Sequence, residues 1–174
     1  IGFGEAAEAF ASGWRETCDG AIASYDLKAG QPGGRAKLKA RADGLGIRLT
    51  ETAADAVAGM PVIFSLVTAD QALVAAQNCA PHIKAGAVWF DCNSCSPGTK
   101  RQAAATDHEV RKNAAIAVLD ALGMKPVLAG ETVGQASAIK MFRSVMIKGI
   151  EALTGECLLA ARRAGVEREV LQSL

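Results

Sequence analysis

The sequence lacks the excess of one charge that proteins binding nucleic acids or acidic lipids carry. Its 174 residues hold 19 lysines and arginines against 18 aspartates and glutamates, a formal net charge of +1. It also lacks any apolar run near the roughly 18 residues of a membrane span, and no signal peptide is visible. Half of its residues are apolar and 21% are charged, as in globular proteins. We therefore expect a globular cytoplasmic protein with no nucleic-acid or membrane partner.

Cysteine and histidine are too few and too scattered to indicate a metal centre. The odd number of cysteines argues against a disulfide framework and favours a reducing compartment; they are Cys18, Cys79, Cys92, Cys95 and Cys157. Cys92 and Cys95 have CxxC spacing, but a zinc site needs two more ligands, and the flanking residues favour a role other than redox chemistry. His82 lies in a Pro-His loop and His108 in a polar helical pattern, so we expect both to be solvated. We predict no metal.

Short apolar runs alternate with helical patterns, which indicates βαβ units around a parallel sheet. We predict an α/β fold with a Rossmann-type doubly wound parallel sheet, followed by the start of an all-helical second domain. Strands are predicted at residues 22–25, 47–49, 62–65, 88–91 and 115–119, and helices at 5–18, 35–45, 51–58, 70–79, 98–113 and 141–165. A last helix begins at residue 167. We place the dinucleotide-binding domain at residues 1–133 and the helical segment at 134–174.

Two places indicate residues that the complete protein has and this chain lacks. Ile1 directly precedes a glycine turn, so most of the first strand is predicted to be missing. The predicted strand 115–119 is followed at once by apolar residues 121–124, whereas connections usually take about two to six residues. We therefore also predict a missing segment between Asp120 and Ala121.

The first residues fit the G-x-G-x-x-G/A pattern of a dinucleotide-binding turn: Gly2, Phe3, Gly4, Glu5, Ala6 and Ala7. In that pattern the first glycine permits a tight turn, and the second lets the backbone approach a pyrophosphate. The small last residue lets the helix lie close to the strand. The phosphate would lie at the N-terminus of that helix. A turn without a ligand is the alternative interpretation.

Asp26 ends the second predicted strand, about 20 residues after the glycines, where a carboxylate binds the ribose 2′-hydroxyl. It favours NAD as the cofactor, because its charge repels the 2′-phosphate of NADP. Lys28 lies close enough in sequence to accommodate that phosphate instead, so NADP stays open. Asp26 could also serve only to cap the loop.

Lys140 follows a run of glycines and other small residues and precedes a long proline-free helical pattern. A lysine held after a tight turn, at the start of a helix, can be aimed into a cleft. A solvated surface lysine is the common alternative.

Three motifs, taken in order, resemble the β-hydroxyacid dehydrogenase family, which includes 6-phosphogluconate and 3-hydroxyisobutyrate dehydrogenases. Residues 2–7 resemble its cofactor turn, and residues 91–97 (DCNSCSP) resemble its D-x-S-T-x-x-P substrate motif. Residues 134–140 (GQASAIK) resemble its G-x-G-x-x-x-K lysine motif, and residues 140–153 its phosphogluconate-dehydrogenase-like branch, usually without an assigned substrate. The resemblance implies hydride transfer between NAD(P) and a small β-hydroxyacid or sugar acid, in a homodimer formed through the helical C-terminal domain.

The resemblance also implies roles for single residues. Lys140 would be the general acid/base for the substrate hydroxyl. Asn93 and Ser94 would hydrogen-bond the substrate and the nicotinamide ribose. Arg143 and Ser144 would contact the substrate, although Arg143 could equally be an ordinary polar residue of the helix. The loop over the cofactor ribose is matched by Leu66, Val67 and Gln71.

Several positions depart from the family pattern. Ala136 replaces a glycine, Val67 a proline, Asn93 a serine and Ser144 an asparagine. A glycine-rich substrate loop should also follow Asp120 and is missing. Two alternatives therefore stay open: an imine reductase-like enzyme, against which retention of the lysine argues, and a non-catalytic dinucleotide sensor with a degenerate substrate site.

Overall fold

Strands and helices alternate along the chain, as the apolar pattern predicts. The computed structural model describes residues 1–14, 20–105 and 112–174. The strands of this part are β1 (Ala23–Ser24), β2 (Arg48–Leu49), β3 (Val62–Ser65) and β4 (Val88–Asp91). The helices are α1 (Glu5–Trp14), α2 (Gly34–Gly44), α3 (Ala53–Val57), α4 (Ala72–Cys79), α5 (Pro97–Ala104), α6 (Lys112–Ala121), α7 (Gln135–Ala164) and α8 (Glu167–Ser173).

The described strands form two parallel pairs and not one continuous sheet. β1 pairs with β2, and β3 pairs with β4 along its whole length, from Val62 opposite Val88 to Ser65 opposite Asp91. The parallel pairing confirms the predicted α/β class. The single doubly wound sheet is confirmed only in part, because the two pairs are not joined by a further strand in the part of the chain described.

Ile1 and Gly2 connect the two strand pairs through backbone hydrogen bonds. On one side, the Gly2 amide donates to the Tyr25 carbonyl just after β1, at 2.8 Å. On the other side, the Leu66 amide donates to the Ile1 carbonyl at 2.8 Å, and the Ile1 amino group donates to the Phe64 carbonyl at 2.6 Å. The order across the fold is therefore β2, β1, the Ile1–Gly2 segment, β3 and β4. Parallel strands in this order have their carboxyl ends at one edge.

Each strand pair has its own apolar cluster. The cluster beside β1 and β2 consists of buried residues from the first turn, α1, α2 and the start of β2: Phe3, Ala7, Ala11, Leu38, Ala42 and Ile47. The cluster beside β3 consists of Val57, Ile63 and Cys79. This cluster joins α1 and α2 to the first turn of the chain.

A partly open apolar cavity of about 650 Å³ lies between the two strand pairs. It is lined by residues of β1 and β3 and by one face each of α1, α3 and α6. Protein interiors are otherwise close-packed, with few voids larger than a water molecule. The cavity lies next to Ile1, between the strands that Ile1 and Gly2 connect. That most of the first strand is missing stays a prediction.

The predicted strand at residues 115–119 is wrong, because these residues belong to α6. The Leu122 amide donates to the Val118 carbonyl at 3.1 Å, which continues the helical pattern past Asp120. A short apolar run does not distinguish a strand from a buried helix, and the alanines of this run favour the helix. The helix continues through Asp120 and Ala121, where the missing segment was predicted; that segment stays a prediction.

Several helix boundaries also differ from the sequence patterns. α7 begins at Gln135 and not at residue 141, with Gly134 (φ 97°) as its N-cap. α5 ends at Ala104, before the predicted residue 113, whereas the predicted end of α1 at residue 18 lies outside the described residues and stays a prediction. Cys18 and His108 lie outside the described residues, so their predicted environments stay predictions.

Helix α7 carries many exposed apolar side chains, including Phe142 (77%), Val145 (72%) and Leu153 (73%). No helix among residues 1–14, 20–105 and 112–174 is both long and apolar enough to cross a membrane. Exposed apolar residues along a helix are typical of a surface that packs against other elements or another chain. The predicted homodimer and the domain boundary after residue 133 stay predictions.

Substitutions that enlarge a buried side chain should affect stability differently beside the cavity and inside the packed clusters. Ala56 is buried and lines the cavity, whereas Ala42 is fully buried in the cluster beside β1. We expect Ala42→Leu to lower the free energy of unfolding by about 1–3 kcal/mol through overpacking. Ala56→Leu should leave it unchanged or raise it, because the added methyl groups enter a void. Urea unfolding of both variants measures this, and equal losses would contradict the cavity.

Candidate functional site

The glycine turn lies where α1 leaves the Ile1–Gly2 segment, and its two glycines differ in their surroundings. Gly2 has a positive φ of 85°, and a Cβ atom there would lie 2.5 Å from the Leu66 carbonyl oxygen. Around Gly4, by contrast, a Cβ atom would meet nothing within 4 Å. Gly2 therefore serves the fold, whereas Gly4 leaves open space beside the N-terminus of α1. Glu5 and Ala6 lie exposed in the first helical turn, and Ala7 is buried.

Asp26 contacts the glycine turn directly. Its Oδ2 accepts a hydrogen bond from the Phe3 amide at 2.8 Å, and its Oδ1 accepts one from the Lys28 amide at 2.8 Å. The carboxylate thus caps the short 3-10 turn Leu27–Gly30 and ties it to the first turn of the chain. Lys28 is exposed on this 3-10 turn. The structure therefore places together the two residues predicted to choose between NAD and NADP.

Arg41 of α2 holds the same turn from the other side. Its guanidinium lies 5.5 Å from the centre of the Phe3 ring, at cation–π distance, and forms an ion pair with Glu8 of α1. That ion pair raises the pKa of Arg41. Phe3 is only 2% exposed, so the turn is held both by the burial of this side chain and by the charge interactions of Arg41.

The loop after β3 touches the glycine turn. The Leu66 carbonyl and the Val67 side chain are the atoms nearest to a Cβ built at Gly2. The Val67 amide donates to Asn93 Oδ1 at 2.7 Å. Gln71 lies at the N-cap of α4 and donates to Asp70 through its side chain. Of the three residues predicted over the cofactor ribose, Leu66 and Val67 are beside the turn, and Gln71 begins the next helix.

Asn93 is buried, at 7% exposure, and its side-chain amide is used inside the protein. Its Nδ2 donates to Ser65 Oγ at 2.9 Å and to Asp91 Oδ1 at 2.7 Å. Its Oδ1 accepts from Val67. Both amide hydrogens and one acceptor position are therefore occupied. This geometry favours a positioning role for Asn93 over the predicted contact with substrate.

Lys140 and Ser94 are brought together, although 46 residues separate them in sequence. The Lys140 ammonium donates a hydrogen bond to Ser94 Oγ, and both residues are exposed. The contact is possible because the start of α7 packs on the start of α5. A Cβ atom at Gly134 would lie 3.0 Å from the Pro97 carbonyl oxygen, so glycine at this position allows the close approach.

Arg143 and Ser144 follow Lys140 on the same side of α7, three and four residues on, where helical side chains are neighbours. Arg143 is exposed and Ser144 is partly buried. Their predicted contacts with substrate stay predictions.

The CxxC pair does not have the features of a redox centre. Cys92 and Cys95 are both free thiols, one at the surface and one buried. Desolvation raises the pKa of the Cys92 thiol, against the opposing charge of Lys100, whereas reactive cysteines have lowered pKa values. Among the residues that the structure describes, no group of three or more histidine, cysteine or acidic side chains could hold a metal ion.

Sequence reasoning missed Lys100 and Ser65, which complete the hydrogen-bond network around Asn93. Lys100 Nζ lies 2.7 Å from Asp91 Oδ1, in a pair whose side chains are 12% and 16% exposed. Ser65 is fully buried at the end of β3. Ser65 ends β3 and Lys100 lies inside α5, and many polar residues occupy such positions, so neither gave a signal in the sequence.

Comparisons with known proteins support the fold. No family model matches the chain. A crystal structure of a conserved hypothetical protein from Sinorhizobium meliloti 1021 is 38% identical, with a TM-score of 0.79 over 99% of this chain and 67% of that protein. A protein from Mycobacterium avium 104, described as a "putative oxidoreductase", is 18% identical with a TM-score of 0.74 over 99% of this chain and 70% of its own.

An uncharacterised 28.5 kDa protein of Methanothermus fervidus is 25% identical over 195 aligned residues, which cover all of this chain and 74% of that protein. The Mycobacterium likeness shows that the chain has a fold similar to that of a protein described as an oxidoreductase.

The two glycines of the turn should respond differently to the same substitution. Gly2→Ala should lower the free energy of unfolding by about 1–3 kcal/mol from its positive φ alone, and the clash with the Leu66 carbonyl adds to this loss. Gly4→Ala should change it by no more than about 0.5 kcal/mol, because its surroundings are open. Chemical denaturation of the two variants measures the difference; equal stabilities would contradict the geometry of the turn.

Proposed function

We propose that the chain, which belongs to the same protein family as the conserved hypothetical protein of Sinorhizobium meliloti 1021, is part of an NAD(P)-dependent oxidoreductase. It would transfer a hydride between nicotinamide and a small β-hydroxyacid or sugar acid. The observation that carries this proposal is the hydrogen bond from Lys140 to Ser94. It joins the lysine motif to the end of β4, where open α/β sheets bind their ligands.

The glycine turn fits a dinucleotide. The space around Gly4 lets a pyrophosphate approach the backbone, and the N-terminus of α1 offers free amide groups and a positive dipole end. Asp26 lies beside the turn, where its carboxylate can accept hydrogen bonds from ribose hydroxyls. The same carboxylate favours NAD, and Lys28 keeps NADP possible.

The residues of the chain would handle the proton while the nicotinamide carries the hydride. In the direction of oxidation, the Lys140 amine takes the proton of the substrate hydroxyl as hydride leaves the adjacent carbon; in reduction it returns the proton. Ser94 Oγ, already in contact with Lys140, would bind the same hydroxyl and orient it. Arg143, one turn further along α7, would bind the acid group of the substrate. General acid–base catalysis of this kind contributes about 10²–10⁴-fold to rate.

A non-catalytic dinucleotide sensor is the second candidate. The observation in its favour is that the Asn93 amide is used inside the protein, so one predicted substrate contact is lost. A sensor would bind NADH or NADPH and turn over no hydroxyacid. The imine reductase-like alternative is disfavoured because Lys140 is retained.

Lys140→Ala should lower hydroxyacid turnover by about 10²–10⁴-fold and leave cofactor affinity nearly unchanged. Turnover and cofactor affinity should respond differently because Lys140 would contact the substrate hydroxyl and not the dinucleotide. Steady-state kinetics and nicotinamide fluorescence measure the two quantities, with Lys84→Ala, at an exposed position, as the control. Turnover equal to that of the control would rule out Lys140 as the acid/base.

Gly4→Ala should weaken dinucleotide binding while the protein stays folded. The added methyl group occupies the space through which a pyrophosphate would approach, and one lost close contact of this kind costs on the order of tenfold or more in affinity. Separate titrations of the unchanged chain and the variant with NADH and NADPH measure it, and also decide between the two cofactors. Binding of neither form by the unchanged chain would overturn the proposal.

A further inference from the structure

Lys100 of α5 holds the end of β4 from outside the recognised motifs. Its ammonium lies 2.7 Å from Asp91 Oδ1 and donates to the Asp91 carbonyl oxygen, also at 2.7 Å. Its side chain is 12% exposed, whereas Lys39, in an exposed ion pair with Asp43, is 62% exposed. Water therefore screens the Lys100 pair little. A lysine bound to both a backbone and a side-chain oxygen is also held in one orientation.

The Asp91 carboxylate, held by Lys100, in turn holds Asn93 through hydrogen bonds. Its Oδ1 accepts from the Asn93 backbone amide at 3.1 Å and from Nδ2 at 2.7 Å, in addition to Lys100. Its Oδ2 is buried and accepts no hydrogen bond from the described residues. The carboxylate is thus held through one oxygen, by Lys100 and Asn93 together.

Asn93 links this pair to both halves of the proposed site. Through Oδ1 it holds the Val67 amide, in the loop that touches the glycine turn. Ser94, the next residue, accepts the hydrogen bond from Lys140. Asn93 and Ser94 share a planar peptide bond, so holding the Asn93 backbone limits the orientations open to Ser94.

We propose that Lys100 is a positioning residue for the reaction, which holds Asp91 and Asn93 so that Ser94 stays against Lys140 and the Val67 loop stays beside the glycine turn. Lys100 itself makes its contacts with Asp91 and not with Ser94 or Lys140. The reaction for which Lys100 would position these residues is the one given under the proposed function, and the proposal rests on that function to this extent. The hydrogen-bond network that carries it is independent of that function.

Stability alone is a weak reason for such a pair. A buried ion pair repays its desolvation cost poorly, and well-packed apolar replacements are often neutral. What an apolar residue cannot supply is a fixed direction for the carboxylate. Displacing a reacting group by about 1 Å can cost about 10²-fold in rate, so a residue that fixes Ser94 has a large effect available to it.

Lys100→Met tests the proposal, because methionine keeps most of the volume and removes the charge. Hydrogen exchange at the Val67 and Asn93 amides should accelerate about tenfold or more, as their acceptors lose their fixed positions. Turnover of a hydroxyacid should fall by about 10–10²-fold, in kcat more than in KM, while affinity for NADH changes less. The matched control Lys39→Met, which removes an exposed lysine of an ion pair, should change none of these quantities.

Two results would overturn the positioning role. One is a variant with the exchange rates and kcat of the control; the other is a kcat that falls only in proportion to the folded fraction. If Lys100→Met does not fold, Lys100→Gln, which keeps a donor without the charge, is measured against the same criteria. Exchange requires no cofactor or substrate, so it reports on the network separately from function. If the unchanged chain bound no dinucleotide, the proposed role of Lys100 in catalysis would be ruled out, whatever the hydrogen-exchange rates show.

Discussion

The parallel alignment of the strands across the Ile1–Gly2 segment is the constraint on which the rest of the structure depends. Three backbone hydrogen bonds fix this segment between Tyr25, Phe64 and Leu66. They keep the two strand pairs in one direction, so that β1, β3 and β4 all end at the same edge. The glycine turn, the Val67 loop and the Asp91–Ser94 segment meet there for that reason. A shift of this segment would separate all three.

The sequence predicted those parts of the fold that depend on local patterns. β3 and β4 have the predicted boundaries, and the glycine turn precedes α1 as expected, whereas Lys140 lies inside α7, which begins at Gln135 and not at residue 141. The strand predicted at residues 115–119 was wrong because a short apolar run does not distinguish a strand from a helix by its periodicity, although its alanines favour the helix. The cavity between the strand pairs could not be predicted from the sequence, because the packing around it depends on residues that are far apart along the chain.

The candidate site shows the same division. The resemblance implied separate roles at one site for Ser94 and Lys140, and the structure has a hydrogen bond between the two side chains. The use of Asn93 was not predictable, because an amide offers donors and acceptors to whichever partners lie nearby. Ser65, Val67 and Asp91 reach it only in the folded chain. A serine at this position would have one hydroxyl and could not make all of these bonds, so the asparagine at residue 93 decides how the loops are held together.

Because of the cavity between the strand pairs, the folded and unfolded states of this chain are expected to differ in volume. The volume change on unfolding scales with the internal voids that unfolding eliminates. The enclosed part of this cavity of about 650 Å³ fills with solvent when the chain opens, which gives the unfolded state a smaller volume. Hydrostatic pressure acts on that difference directly, without weakening any single contact. The two strand pairs would then separate first along the surface where they already pack least.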